Sequence, residues 1–242
     1  MLEIVFGFFV FSKRSFAGYV IQNQLERFFI LIVFSKRSFA GNIIQSKFKS
    51  LHFMTTYFFD ITYQDTTYGE EEMHLKEFES CQFIHCGFTA CNFIGVTFID
   101  CTFTNCNFNS TKLNHTALRT VQFNNCKMQD INFSMCDKLI FEIAFNRCNL
   151  DFSKFYTLKL KETQFKNCSL IAVDFMATDL SEVVFDNCEL YRAEFDKANA
   201  SKADFKTSYN YTIDPEKTKI KKATFALEGL KGLLYKHNII VE

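Results

Sequence analysis

Ten cysteines among 242 residues are the side chains with the most chemistry on offer, and their spacing is regular. Cys86, Cys106 and Cys126 stand twenty residues apart, and Cys148, Cys168 and Cys188 continue the series after a shift of two. Thiols can ligate zinc, pair as disulfides or act as nucleophiles. A zinc site needs four thiolates or imidazoles converging at about 2.3 Å from the metal, whereas a long fixed period spreads sulfurs along an axis. Disulfide frameworks belong to short secreted chains. Here nine cysteines stand two residues before a bulky apolar position, and the tenth, Cys136, keeps that phase where the pattern breaks. The place suits a small buried hydrophobe, and reduced thiols point to a cytoplasmic protein.

Nothing else assembles into a reactive set. There is no Walker loop, no Gly-rich dinucleotide fingerprint and no His-x-x-x-His pair. His85 and His115 have no nucleophile near them in the pattern. We expect no catalytic, cofactor-binding or metal-ligating residues, no cofactor and no enzymatic activity.

The elements that position these residues follow from a period of five. Phe78, Phe83, Phe88, Phe93, Phe98, Phe103, Phe108, Leu113, Leu118, Phe123, Met128 and Phe133 are equally spaced. A helix turns a side chain by about 140° over five residues and a strand flips it to the opposite face, so neither buries all twelve. A chain that turns a corner after each unit does, and a fixed period marks a solenoid. The series resumes after a two-residue offset as Ile140, Phe145, Leu150, Phe155 and so on to Ala200 and Phe205. Most units also carry a small or β-branched residue two places earlier, as in Cys81, Val96, Thr111 and Ile131.

This small-x-Phe/Leu-x-x pattern resembles the pentapeptide-repeat family. The resemblance implies an all-β fold, a right-handed quadrilateral β-helix with four units per coil, closed here by a short C-terminal capping helix. The residues support four units independently, because the cysteine series repeats at twenty and so does Phe83, Phe103, Phe123, then Phe145, Phe165, Phe185 and Phe205. Ladders of like residues arise when coils stack at about 4.8 Å. One Pro and eight Gly are too few for ordinary hairpin turns, so the repeat itself must make the corners.

The regions outside the repeat read differently. Residues 1–53 repeat VFSKRSFAG from Val10 and again from Val33. They hold seven basic residues against two acidic, so the neutral chain conceals 20 basic against 25 acidic from Met54 on. Their apolar runs are too short to span a bilayer. We expect no membrane association and read them as a poorly ordered or non-native extension, with Met54 the native start; the alternative is a weak amphipathic surface anchor. Residues 54–77 read as an irregular N-terminal cap, 78–205 as the β-helix and 206–242 as a C-terminal cap. Two extra residues are expected to bulge from a corner within Ser134–Leu139. In the last segment Ala226–His237 reads as a helix with Leu227, Leu230, Leu233 and Leu234 on one face, followed by a strand at 239–241.

Outward charge is patterned as well. Two residues after the core positions of one face stand Asp100, Thr120, Glu142, Glu162 and Glu182. An acidic stripe along a rod suggests mimicry of a nucleic-acid backbone rather than direct nucleic-acid binding. Six and a half coils would span about 31 Å, over which B-DNA carries about 18 charges. Net charge alone is far more dilute than that, so mimicry would rest on shape and one face.

Within the family the bulge and C-terminal cap look like those of the quinolone-resistance (Qnr) group. That resemblance implies a dimeric rod that binds DNA gyrase and topoisomerase IV. The expected partner-binding residues are Asp100, Glu142, Glu162 and Glu182 with Asp137, Lys138 and Leu139, and the expected homodimer contact is Leu227, Leu230 and Leu234. The competing expectation is a structural rod that scaffolds another protein partner.

Overall fold

The computed structural model describes residues 56–240; the expectations for residues 1–53 lie outside them. From Thr56 to Phe225 the chain winds as a parallel β-solenoid of about eight turns. One side stacks the strands Thr56–Phe59, Lys76–Glu79, Thr97–Ile99 and Ala117–Arg119. A second stacks nine strands, from Thr62–Gln64 to Thr224–Phe225. The other two sides are joined by single parallel bridges such as Asn107 with Lys127 and Lys154 with Asp174. Register steps by one coil, pairing Phe78 with Phe98 and Phe83 with Phe103.

All twelve equally spaced residues from Phe78 to Phe133 are at most 4% exposed. Their rings stack between coils, with Phe83 and Phe103 4.7 Å apart and 10° from parallel. Within a coil they meet edge to face, as do Phe83 and Phe88 at 70°. Both are favoured aromatic geometries, so one filling residue satisfies contacts along and across the axis.

Corners are made by the second residue after each core position, held at positive φ: 52° at Asp100, 52° at Asn125 and 63° at Glu162. That region disfavours residues other than glycine by roughly 1–2 kcal/mol. It persists because most corner N–H groups donate to the next coil, Asp100 to the Arg119 carbonyl at 2.9 Å and Asn167 to the Asp186 carbonyl at 2.8 Å. Among the described residues only Gly95 uses glycine for this purpose.

Three expectations are corrected. Ile140 is not a core residue: it is half exposed, Phe141 packs against the core in its place, and Ile143 is buried. Asp137 N still bonds the Thr116 carbonyl in regular register, whereas Glu142 N reaches the Leu118 carbonyl. The extra residues are therefore absorbed after Asp137, and by Phe123–Phe145 pairing the columns are restored.

The ladder also exceeds Phe78 to Phe205 at both ends. Phe58 stacks on Phe78 at 5.0 Å and Phe225 on Phe205 at 5.1 Å, so most of the 54–77 and 206–225 segments continue the coil.

The C-terminal segment is three short turns, Leu227–Gly229, α1 (Lys231–Leu234) and Tyr235–His237, and residues 239–240 form no strand. It docks through Leu233 and two glycines rather than a leucine face. A Cβ on Gly229 would overlap the Tyr211 hydroxyl, and one on Gly232 the Tyr211 carbonyl.

Candidate partner-binding surfaces

Asp100, Glu162 and Glu182 occupy corners of one column, their backbones fixed at positive φ. Glu142 lies in the bulge and accepts from Thr120 Oγ1 at 3.1 Å, which ties it to the same column. Two of these carboxylates are paired: Glu162 with Lys161 at 2.9 Å and Glu182 with Lys202 at 3.0 Å. The Lys202 ammonium, through its hydrogen bond and then its charge, holds the Glu182 carboxyl below its ordinary range. Exposed pairs of this kind contribute little to stability, because water screens them.

The column does not end in acid. Lys202 and Lys222 take the next two corners, so the stripe is acidic over most of its length and basic at its C-terminal end. Reading the column as an acidic series stopped one coil short of this change of sign, although Lys202 stands twenty residues after Glu182.

At the bulge, Asp137 Oδ1 accepts from Leu139 N at 2.9 Å and Lys138 Nζ donates to Thr157 Oγ1 at 3.0 Å. The loop thus folds against the following coil and presents Leu139, 82% exposed, with Ile140 beside it. A cavity of about 530 Å³ next to it is lined by His115, Cys136 and Asp137. These residue types could suggest a nucleophile, but Cys136 is buried and that burial pushes its thiol up. A neutral buried thiol is not a nucleophile.

Leu227, Leu230 and Leu234 at the C-terminal end are all exposed, Leu227 most of all at 79%. Sequence reasoning missed a further ladder at the neighbouring corner. His85 Nδ1 is 3.2 Å from Asp65 Oδ1, Asn105 Nδ2 is 2.9 Å from His85 Nε2, and Asn125 Nδ2 donates to Asn105 Oδ1 at 2.6 Å. The twenty-residue spacing of these polar residues was the available signal.

Among the described residues no group of three or more His, Cys, Asp or Glu side chains could hold a metal ion. No described helix is long and apolar enough to cross a membrane. All ten cysteines are buried and unpaired.

The described residues therefore form a four-sided solenoid of five-residue units whose outward positions are patterned surfaces. A family model described as a pentapeptide repeat region matches residues 76–140 and 139–210. The chain belongs to the pentapeptide-repeat family. No curated protein matches it significantly. Among solved structures it is similar to full-length QnrB1, a plasmid-mediated fluoroquinolone resistance protein, at 14% identity over 76% of this chain and 100% of that one, with a TM-score of 0.37. It is also similar to HetL, a pentapeptide-repeat protein involved in heterocyst differentiation regulation in the cyanobacterium Nostoc, at 11% identity over 80% of this chain and 96% of that one, with a TM-score of 0.33.

Proposed function

We propose that this rod is a protein-binding module that engages a type II topoisomerase in competition with DNA, and that two copies associate through the C-terminal turns. The observation that carries the reading is the column of outward carboxylates Asp100, Glu162 and Glu182, repeated by the coil on positive-φ corners, with Glu142 tied to the same column through Thr120. Complementary charge of this kind steers encounter and fixes register more than it supplies affinity. The bulge at Asp137–Leu139 offers an irregular feature beside it, with an exposed leucine for a partner pocket. The dimer reading rests on the exposed Leu227, Leu230 and Leu234.

One observation favours the alternative of a scaffold for another protein. A column that changes sign at Lys202 and Lys222 is less like a run of phosphates than like a surface matched to a partner bearing both charges. A gyrase supercoiling assay with and without ciprofloxacin separates the two. Inhibition by the protein alone, or protection from the drug, supports the topoisomerase reading. Neither effect, together with no gyrase binding at low salt, leaves the scaffold reading.

A further inference from the structure

A cleft lies at the C-terminal end, between the last coils and the turns around α1. It holds about 920 Å³, within the range of small-molecule sites. At its floor the backbones of Gly229 and Gly232 close directly on Tyr211, so closely that a Cβ on either would overlap it. Four of the chain's nine tyrosines, Tyr191, Tyr209, Tyr211 and Tyr235, line it, with Leu234 and Ile239 beside them. Tyr191, Tyr209 and Tyr235 are 55%, 47% and 74% exposed, so each leaves much of its surface open to water that a ligand could displace.

The polar groups of the lining divide into engaged and free. Asn210 donates to both oxygens of Glu189, Ser208 Oγ donates to the Phe185 carbonyl, and Lys236 is paired with Asp214 and Glu216. Lys231 and Glu228 make no ion pair among the described residues and offset one another in charge. The Tyr211 hydroxyl is different: the residue is 3% exposed and its Oη is buried with no hydrogen-bond partner. Burial pushes this phenol up, so it stays a donor. An orphaned buried hydroxyl carries an uncompensated desolvation penalty.

We propose that this cleft binds an aromatic ligand bearing a hydrogen-bond acceptor, an aryl amide or aryl carboxylate, stacked among Tyr191, Tyr209 and Tyr235 and accepting from Tyr211 Oη. Reaching Oη needs an outward shift of the Gly229 turn that covers it. That turn carries no buried side chain of its own, so the shift must break chiefly the glycine contact with Tyr211. The near balance of Lys231 and Glu228 leaves the acceptor's charge open, and the two probes below distinguish a neutral from an anionic one.

The test is calorimetric titration of the full chain with 1-naphthamide, 1-naphthoate and the saturated decahydronaphthalene carboxamide, with self-association followed by sedimentation. At least one naphthyl probe should bind at least about tenfold more tightly than the saturated amide, because stacking adds to apolar burial. The tighter naphthyl probe identifies the acceptor's charge. Tyr209→Ala should weaken it about tenfold. Tyr211→Phe should weaken it about fivefold while leaving the melting temperature unchanged or raised, since it removes a hydroxyl that has no partner. Equal affinity for the saturated amide, indifference to both substitutions, or binding that disappears as copies associate would overturn the site. The last result would mean that the cleft is only an interface between copies. All readouts use the protein alone, so they stand apart from any topoisomerase result.

Discussion

Thr111 Oγ1 donates to the main-chain carbonyl of Phe88 at 2.7 Å, across one coil and 23 residues of sequence. The same bond links Thr116 to Phe93, Thr178 to Phe155, Ser208 to Phe185 and Thr218 to Phe195. Sulfur makes it more weakly, from Cys106 to Phe83 at 3.4 Å. The small inward position therefore accommodates a donor as well as a small apolar group, which is why Cys, Thr and Ser share it with Val96 and Ile131.

Thr116→Val keeps the shape and removes the donor. The Phe93 carbonyl retains its bond from Val96 N, so the loss should be about 1 kcal/mol, the net worth of one hydrogen bond. Cys106→Ser should stay within about 1 kcal/mol of the parent, because Ser208 already bonds a carbonyl from an equivalent position at 2.8 Å. Chemical denaturation measures both. A neutral Thr116→Val with an unfolded Cys106→Ser would mean that size alone governs the position.

The phenylalanine ladder should dominate stability. Phe165 is fully buried and stacked on both sides, at 5.3 Å from Phe145 and 5.2 Å from Phe185. Phe165→Ala should destabilise by about 3–5 kcal/mol. Phe78 should behave almost the same way, since Phe58 covers it, whereas the partly buried Phe58 should lose clearly less on truncation. Equal losses at Phe58 and Phe165 would argue against a continuous core with a distinct end.

Alkaline pH should unfold the rod through its thiols. Burial pushes Cys86 up and Cys91 up to about 11, from an ordinary value of 9.0. A folded-state pKa above the unfolded one stabilises the fold fully below the unfolded value and is lost as pH rises through the folded one. The melting temperature should be insensitive to these groups below about pH 8 and fall from about pH 9 to pH 11. Thiol labelling in native buffer should be slow for all ten cysteines and rapid once denaturant is added. A melting temperature that rises over that range would contradict their burial.

The core was legible because the repeat writes it directly: a bulky residue every fifth place has only one geometry that buries all of it. The break within Ser134–Leu139 was legible too, but not how the backbone re-enters register after it. Ile140 fits the spacing, but the backbone leaves register after Asp137, and hydrogen bonds rather than side-chain type decide where the slack goes. Gly229 and Gly232 read as weak helix residues, yet their missing side chains are what let the C-terminal turns close on Tyr211. The candidate stripe was visible at Asp100, Glu162 and Glu182, but its reversal at Lys202 needed the column followed beyond the last clear repeat unit.

The C-terminal turns should be separable from the solenoid. Gly232→Ala places a methyl against the Tyr211 carbonyl, a backbone atom that cannot swing aside. The turns should detach and become sensitive to protease, while the coils up to Phe205 keep their circular dichroism. If the turns also join two copies, Leu230→Glu and Leu234→Glu should yield monomers at micromolar concentration without that sensitivity. A parent protein that sediments only as a monomer would remove the dimer proposal.

Charge reversal along the corner column tests the proposed partner most directly. Asp100, Glu162 and Glu182 lie on rigid backbone, and their ion pairs, where present, are exposed. Replacing all three by lysine should therefore leave the melting temperature close to the parent's. The same change converts an acidic stripe into a basic one and should reduce gyrase inhibition at least about tenfold, equivalent to about 1.4 kcal/mol of binding. Parent inhibition should weaken as salt rises, because exposed charges are screened over about 8 Å at physiological ionic strength. Deleting two residues of the bulge, Lys138 and Leu139, removes the exposed leucine and leaves the column in place. It should diminish drug protection more than competition with DNA. A triple reversal that folds normally and still inhibits would show that the stripe does not carry the interaction.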